Sequence, residues 1–160
     1  MFELKDYQQR ALDTLKLYFQ ECSSIGDANL SFYKITKKAF GVNIPYNEVD
    51  ELPGLPYVCL RIPTGGGKTI VACHSIGVAE KELVKIENPL VLWLVPSNAI
   101  LEQTIKALKD PRHPYRIAVE SKVGAVNIVD IEEALYIKPA QLENETTIIL
   151  TTMQSFRVED

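Results

Sequence analysis

The sequence predicts an α/β protein built on a mainly parallel sheet with helices against its faces. Three observations carry that reading. After Pro56, β-rich apolar runs alternate with stretches of helical period, the pattern of a parallel sheet joined by crossover helices. The run Leu90-Val91-Leu92-Trp93-Leu94-Val95 contains no polar side chain apart from the indole N–H, as a strand buried on both faces requires. Between an apolar run and a helical pattern stands Thr64-Gly65-Gly66-Gly67-Lys68-Thr69, the strand–loop–helix setting of a phosphate-binding loop.

Composition bounds the rest. The 160 residues are 46% hydrophobic and 24% charged, enough to bury one sizeable core, so one domain is expected. Against 21 acidic residues stand 17 basic ones, a formal charge of −4. No global field draws in polyanions, and any nucleic-acid binding must be local. Cys22, Cys59 and Cys73 are odd in number and lack C-x-x-C spacing, which argues against a disulfide framework and a zinc site and fits a reducing compartment. The start Met1-Phe2-Glu3-Leu4-Lys5-Asp6 has no basic-then-apolar signal pattern, and no apolar run approaches a membrane span. A cytoplasmic protein without membrane contact is expected.

Taken in order, Leu4, Tyr7, Ala11, Leu12, Leu15, Tyr18 and Phe19 form one apolar stripe on a helix from about Asp6 to Glu21, with Asp6 as its cap and Gln9 completing a capping box. Gln8, Gln9 and Arg10 fall on its polar side, where a solvated face is the simplest reading. Residues 23–56 are punctuated by Gly26, Pro45, Pro53, Gly54 and Pro56, with a short helix over 29–40. An unstructured connection of that length is an insertion with a role or a flap. Tyr57–Ile62 reads as the first buried strand, and the helix after the loop runs from Lys68 to about Val84, turning Ile70, Val71, His74, Ile76, Val78 and Ala79 inward. Pro96 ends the strand 90–95, and Ser97 caps a helix over Asn98–Leu108 with a stripe of Ile100, Leu101, Ile105 and Leu108. Pro111 and Pro114 follow, then a third strand at Tyr115–Val119, a strand and helix between Val123 and Leu135, and a final strand Thr146–Thr151 leading into a helix or turn. His113, with no cysteine or second histidine nearby, is not read as a metal ligand.

The loop carries the clearest chemistry. Its glycines let bare backbone N–H groups approach phosphate oxygens, and the helix that follows adds the partial positive charge of its N-terminus. Lys68 supplies an ammonium for the terminal phosphates, and the Thr69 hydroxyl suits Mg²⁺. Ile62 stands where the strict motif has its first glycine.

Read together, Leu4-Lys5-Asp6-Tyr7-Gln8, the loop ending in Gly67-Lys68-Thr69, Leu94-Val95-Pro96-Ser97 with Gln103, and Thr151-Thr152-Met153-Gln154-Ser155-Phe156 resemble the front motifs of superfamily-2 helicases of the DEAD/DEAH-box kind. More narrowly, the chain resembles the restriction (R) subunit of type III restriction enzymes, from residue 4 to 156 but not over 23–56. The resemblance implies a three-layer RecA-like P-loop fold, incomplete at its C-terminus. Within this single N-terminal ATP-binding lobe, 1–22 would be the adenine-motif helix, 23–56 an insertion or flap and 57–160 the βα core. It also implies roles. Gln8 would read adenine, since an amide both donates and accepts on one base edge. Thr64, Gly65, Gly66, Gly67, Lys68 and Thr69 would hold ATP, with Lys68 and Thr69 catalytic and Thr69 a ligand to Mg²⁺. Pro96, Ser97, Gln103, Thr151, Thr152 and Ser155 would touch a nucleic-acid backbone, although Ser97 also serves as a plain helix cap.

Implied partners are DNA, double-stranded foremost with RNA as the alternative, a second RecA-like lobe and a modification (methyltransferase) subunit. The parent protein would be an ATP-driven DNA helicase or translocase of a restriction-type system, with an accompanying endonuclease left open. Gln8 lies 60 residues before Lys68, so the inserted segment must loop out. No D-E-x-x run follows the last strand, and Glu159-Asp160 is not that motif. Without an acidic pair to hold Mg²⁺ and orient water, the 160-residue polypeptide is expected to bind nucleotide weakly and hydrolyse almost none. Two other classes stay open on the loop alone: a P-loop enzyme that is not a motor, such as a small-molecule kinase, and a non-catalytic nucleotide-binding module.

Overall fold

The computed structural model describes residues 3–156; Glu159 and Asp160 lie outside them. Two compact units divide between Lys85 and Ile86.

The first unit is helical. α1 (Asp6–Ile25) starts at Asp6 as expected and runs on past Glu21, but with Lys5 rather than Asp6 at the cap position. The reason is Gln8, whose Oε1 accepts from the Lys5 N–H at 2.8 Å and so closes the box one residue upstream of the Asp6–Gln9 pairing. Gln9 instead reaches Asp13 one turn on. The apolar stripe buries Leu12, Leu15, Tyr18, Phe19 and Cys22. Gly26, at φ 75°, ends the helix by returning its N–H to the Cys22 carbonyl. Asp27 then caps α2 (Ala28–Phe40), accepting from the Leu30 N–H. The short helix expected over 29–40 is therefore α2, and with α1 it makes a helical hairpin of the first half of this region.

Leu15, Tyr18, Phe19, Cys22, Ala28 and Ile35 form its core, against which Phe32, Tyr46, Val58 and Leu60 pack. Phe32 meets Tyr18 edge-on at 6.0 Å and Tyr46 at 5.3 Å between ring centroids. Burial drives the Tyr18 phenol well above its usual range. The Tyr46 hydroxyl donates to the Leu55 carbonyl and accepts from the Tyr57 N–H, pinning both ends of the segment without regular structure.

Tyr57–Ile62 joins no sheet, which corrects the expected first strand. Its residues do alternate, with Val58, Leu60 and Ile62 half-buried and Tyr57, Cys59 and Arg61 exposed. Val58 and Leu60 gain that burial against the helical core, so the period of two reports an extended segment and no ladder. α3 (Lys68–Ala79) follows the loop and runs on through a π-turn, Glu80–Val84, matching the expected span. It buries Ile70, Val71, Cys73 and Ile76, with His74, Val78 and Ala79 half-buried.

The second unit holds the parallel sheet, in the order β1-β3-β2, with β1 at Leu90–Val95, β2 at Val126–Asp130 and β3 at Thr146–Thr152. β3 lies between the others, registering Ile148 against Val91 on one side and Ile128 on the other. The edge strand β1 is not buried on both faces as expected. Leu90, Leu92 and Leu94 are 59%, 52% and 43% exposed, while Val95 is buried. A uniformly apolar strand cannot reveal from composition which of its faces is covered. α4 (Asn98–Lys109) packs across the sheet and buries Thr104, Ala107 and Leu108. Of its expected stripe, Leu101 and Ile105 are half-buried and Ile100 is exposed.

A second correction concerns Tyr115–Val119, which lies in a helix, α5 (Pro114–Val123). Pro114 occupies the first helical turn, where its missing N–H costs nothing, and His113 Nδ1 caps it by accepting from the Tyr115 N–H. Arg116 donates to Glu120 one turn on, and also to the Leu108 and Val126 carbonyls. Five apolar-leaning residues suit either state, and the cap together with the i,i+4 pair decides for helix. The short α6 (Ile131–Ala134) and α7 (Pro139–Asn144) complete the unit, and the strand and helix expected between Val123 and Leu135 are β2 and α6. Among the described residues no helix is long and apolar enough to cross a membrane.

Candidate nucleotide site and strand-end motifs

Each loop glycine is required for a separable reason. Gly65 and Gly67 hold φ of 74° and 77°, in the left-handed region. Gly66 is required by space, since a Cβ there would lie 2.7 Å from Ile62 Cγ2 and 2.9 Å from the Pro63 carbonyl oxygen. Gly67 meets both constraints, because its Cβ would also fall 2.5 Å from Gln8 Nε2. Ile62, the departure from the strict motif, is thus a packing partner of the loop.

Gln8 is 3% exposed, which overturns the solvated-face reading for this residue, while Gln9 and Arg10 are exposed. Its Nε2 donates to the Gly66 carbonyl at 2.9 Å, and its Oε1 holds Lys5 N. Tyr7, given no site role in the sequence reading, donates its hydroxyl to the same Gly66 carbonyl at 2.9 Å. The tip of the loop is therefore tied by two side chains from the first turn of α1. The sole sequence signal for Tyr7 was its place next to Gln8.

α3 begins at Lys68 with Gly67 at the cap position and no side chain capping it, so the unpaired N–H groups of its first turn stay available to an anion. Lys68, exposed, donates to the Ile62 and Pro63 carbonyls at 3.2 Å each. Such solvent-facing bonds are weak, and the ammonium can exchange them for phosphate oxygens. Thr64 is exposed and Thr69 half-buried. These residues fit a nucleotide phosphate. For Mg²⁺ they offer the hydroxyls of Thr64 and Thr69, and among the described residues no group of His, Cys, Asp and Glu is spaced to hold a metal ion.

The remaining candidates lie in the second unit, at the C-terminal ends of two neighbouring parallel strands. Val95 registers with Thr152, so Pro96-Ser97 and Thr152–Ser155 leave the sheet at one edge, where α/β sheets bind ligands. Pro96 and Gln103 are exposed. Ser97 is half-buried and caps α4, accepting from the Ile100 N–H at 3.5 Å. Thr152 Oγ1 lies 3.1 Å from Ser155 Oγ, with Ser155 exposed. Thr151 differs: it is fully buried, and its hydroxyl has no hydrogen-bond partner among the described residues.

Over residues 1–160 the chain matches a family model described as type III restriction enzyme, res subunit. No curated protein and no solved structure matches it.

Proposed function

Because the chain belongs to the type III restriction enzyme res-subunit family, a family of DEAD-like helicases, we propose that it binds ATP with Mg²⁺ at Thr64–Thr69. In this reading it forms the nucleotide-binding front of a DNA helicase or translocase of a restriction-type system. Membership implies an ATP-dependent helicase-type region. The observation that carries the finer reading is the uncapped start of α3 beside a glycine loop tied to Gln8. A triphosphate would replace the missing cap, accepting from the N–H groups of Gly67, Lys68 and Thr69 while the Lys68 ammonium swings onto its terminal oxygens. Gln8 has one amide hydrogen and one carbonyl lone pair uncommitted after its bonds to Gly66 and Lys5, the complement of an adenine edge. Base recognition would then be mechanically linked to the phosphate loop.

Mg²⁺ bound with the nucleotide would neutralise phosphate charge, and Thr69 would be the residue to hold it. Pro96, Ser97, Gln103, Thr152 and Ser155 would meet the DNA backbone; Thr151, being buried, would support that edge from below. DNA, a second lobe and a modification subunit are the proposed partners, in the cytoplasm. The polypeptide of residues 1–160 is proposed to bind nucleotide weakly and to turn over almost none, because phosphoryl transfer lacks an acidic pair for the metal and water. Titration with a fluorescent ATP analogue should show Mg²⁺-dependent binding that Lys68→Ala removes, with negligible phosphate release. Absence of binding at millimolar nucleotide would refute the site. Steady turnover sensitive to Lys68→Ala would refute the hydrolytic deficiency.

A further inference from the structure

We propose that the outer face of α2 is a sequence-independent contact for single-stranded nucleic acid, separate from the motifs at the ends of β1 and β3. The inner face of this helix, with Ala28, Ser31, Ile35 and Thr36 buried, is occupied by the core. Outward it shows Leu30, Tyr33 and Phe40, 51%, 38% and 62% exposed, interleaved with exposed Lys34, Lys37 and Lys38. Ala28–Phe40 has no carboxylate, in a chain whose formal charge is −4. Lys34 is tied to Glu21 at 2.9 Å. Lys37 stands 5.6 Å over the Tyr33 ring, and among the described residues neither Lys37 nor Lys38 forms an ion pair. Asp27 is occupied at the far end of the helix as its cap, and Glu48 by the Gly54 N–H.

Lysines in a last helical turn are accounted for by the helix dipole; exposed aromatic rings beside them are not. Ammonium groups for the backbone and open rings for the bases are the two features that single-strand sites combine. A duplex offers the phosphates but keeps its base faces stacked. A membrane surface suits a helix whose whole apolar face is free to enter lipid, and here that face is in the core.

The test uses the 160-residue chain without nucleotide, following fluorescence anisotropy of labelled oligo(dT) across a salt series. Lys37→Gln/Lys38→Gln should lower the slope of log affinity against log salt by about 1.4, at about 0.7 per phosphate contact for single strands. Lys37→Arg/Lys38→Arg should restore it. Phe40→Ala should weaken binding about tenfold with the slope unchanged. All three variants should keep wild-type far-UV circular dichroism and wild-type affinity for the ATP analogue, so failure here is distinguishable from failure of the nucleotide site. An unchanged salt slope in the glutamine variant, wild-type affinity in Phe40→Ala, or capture by phosphatidylserine vesicles without oligo(dT) binding would each overturn the proposal.

Discussion

Replacing Gly67 by alanine tests the link between α1 and the phosphate loop. Two costs add. The left-handed φ of 77° penalises any Cβ by about 1–2 kcal/mol. The new carbon would also lie 2.5 Å from Gln8 Nε2, so the amide must leave the Gly66 carbonyl, at about 1–2 kcal/mol for a buried hydrogen bond given up. The sum is about 2–4 kcal/mol. Gly65→Ala is the internal control, with φ of 74° and nothing within 4 Å of its Cβ, so it should cost only the first term. The two variants should differ by about 1–2 kcal/mol in urea unfolding followed by far-UV circular dichroism. Hydrogen exchange should loosen further in the first turns of α1 and α3 for Gly67→Ala than for Gly65→Ala. In a Gln8→Ala background the difference should shrink, since the obstructing amide is gone. Equal losses for the two glycines, or a difference undiminished by Gln8→Ala, would refute the argument that Gln8 braces the loop, since the 3.1 Å approach of the new carbon to Ile70 Cγ2 leaves a smaller remainder.

Two further outcomes follow from the buried and paired ionisable groups. Burial pushes the Cys73 thiol up to about 12 and raises Cys22 as well, whereas Cys59 is exposed. At pH 8, iodoacetamide followed by peptide mass spectrometry should therefore modify Cys59 in the native chain and the other two only after unfolding; comparable rates at all three would contradict the packing. Glu133 accepts from Lys109 at 2.9 Å and from the Asp130 N–H at 3.0 Å, and these bonds hold its carboxyl below the usual glutamate range. A depressed carboxyl adds stability that is fully present above the unfolded midpoint and is lost as pH falls through the lower folded one. The pair is nearly half exposed, so the increment is about 0.5 kcal/mol or less. Carbon-13 NMR titration should find the Glu133 midpoint low and moving upward in Lys109→Met; an unmoved midpoint would count against the pair.

Legibility varied with how local the decisive interaction is. The α1 stripe, the Ser97 cap and strands β1 and β3 could be read because period, cap chemistry and β-branched runs act within a few residues. Tyr115–Val119 misled because five apolar-leaning residues fit both states, and Arg116 settles the matter partly through the carbonyls of Leu108 and Val126. Tyr57–Ile62 misled because alternation records burial on one side without saying whether a helix core or a strand supplies it.

At the site, the loop's glycines, Lys68 and Thr69 were evident from residue type and spacing alone, because phosphate recognition by backbone N–H groups demands those residues side by side. The sequence by itself also determined the family, through the order of weak motifs along the chain. Only the tertiary structure decided what surrounds the loop. It brought Tyr7 and Gln8 onto Gly66, 59 and 58 residues away, buried Thr151 while leaving Ser155 exposed, and turned the lysines of α2 outward. Those outcomes depend on which surfaces meet after the chain folds back on itself, and no local pattern encodes them.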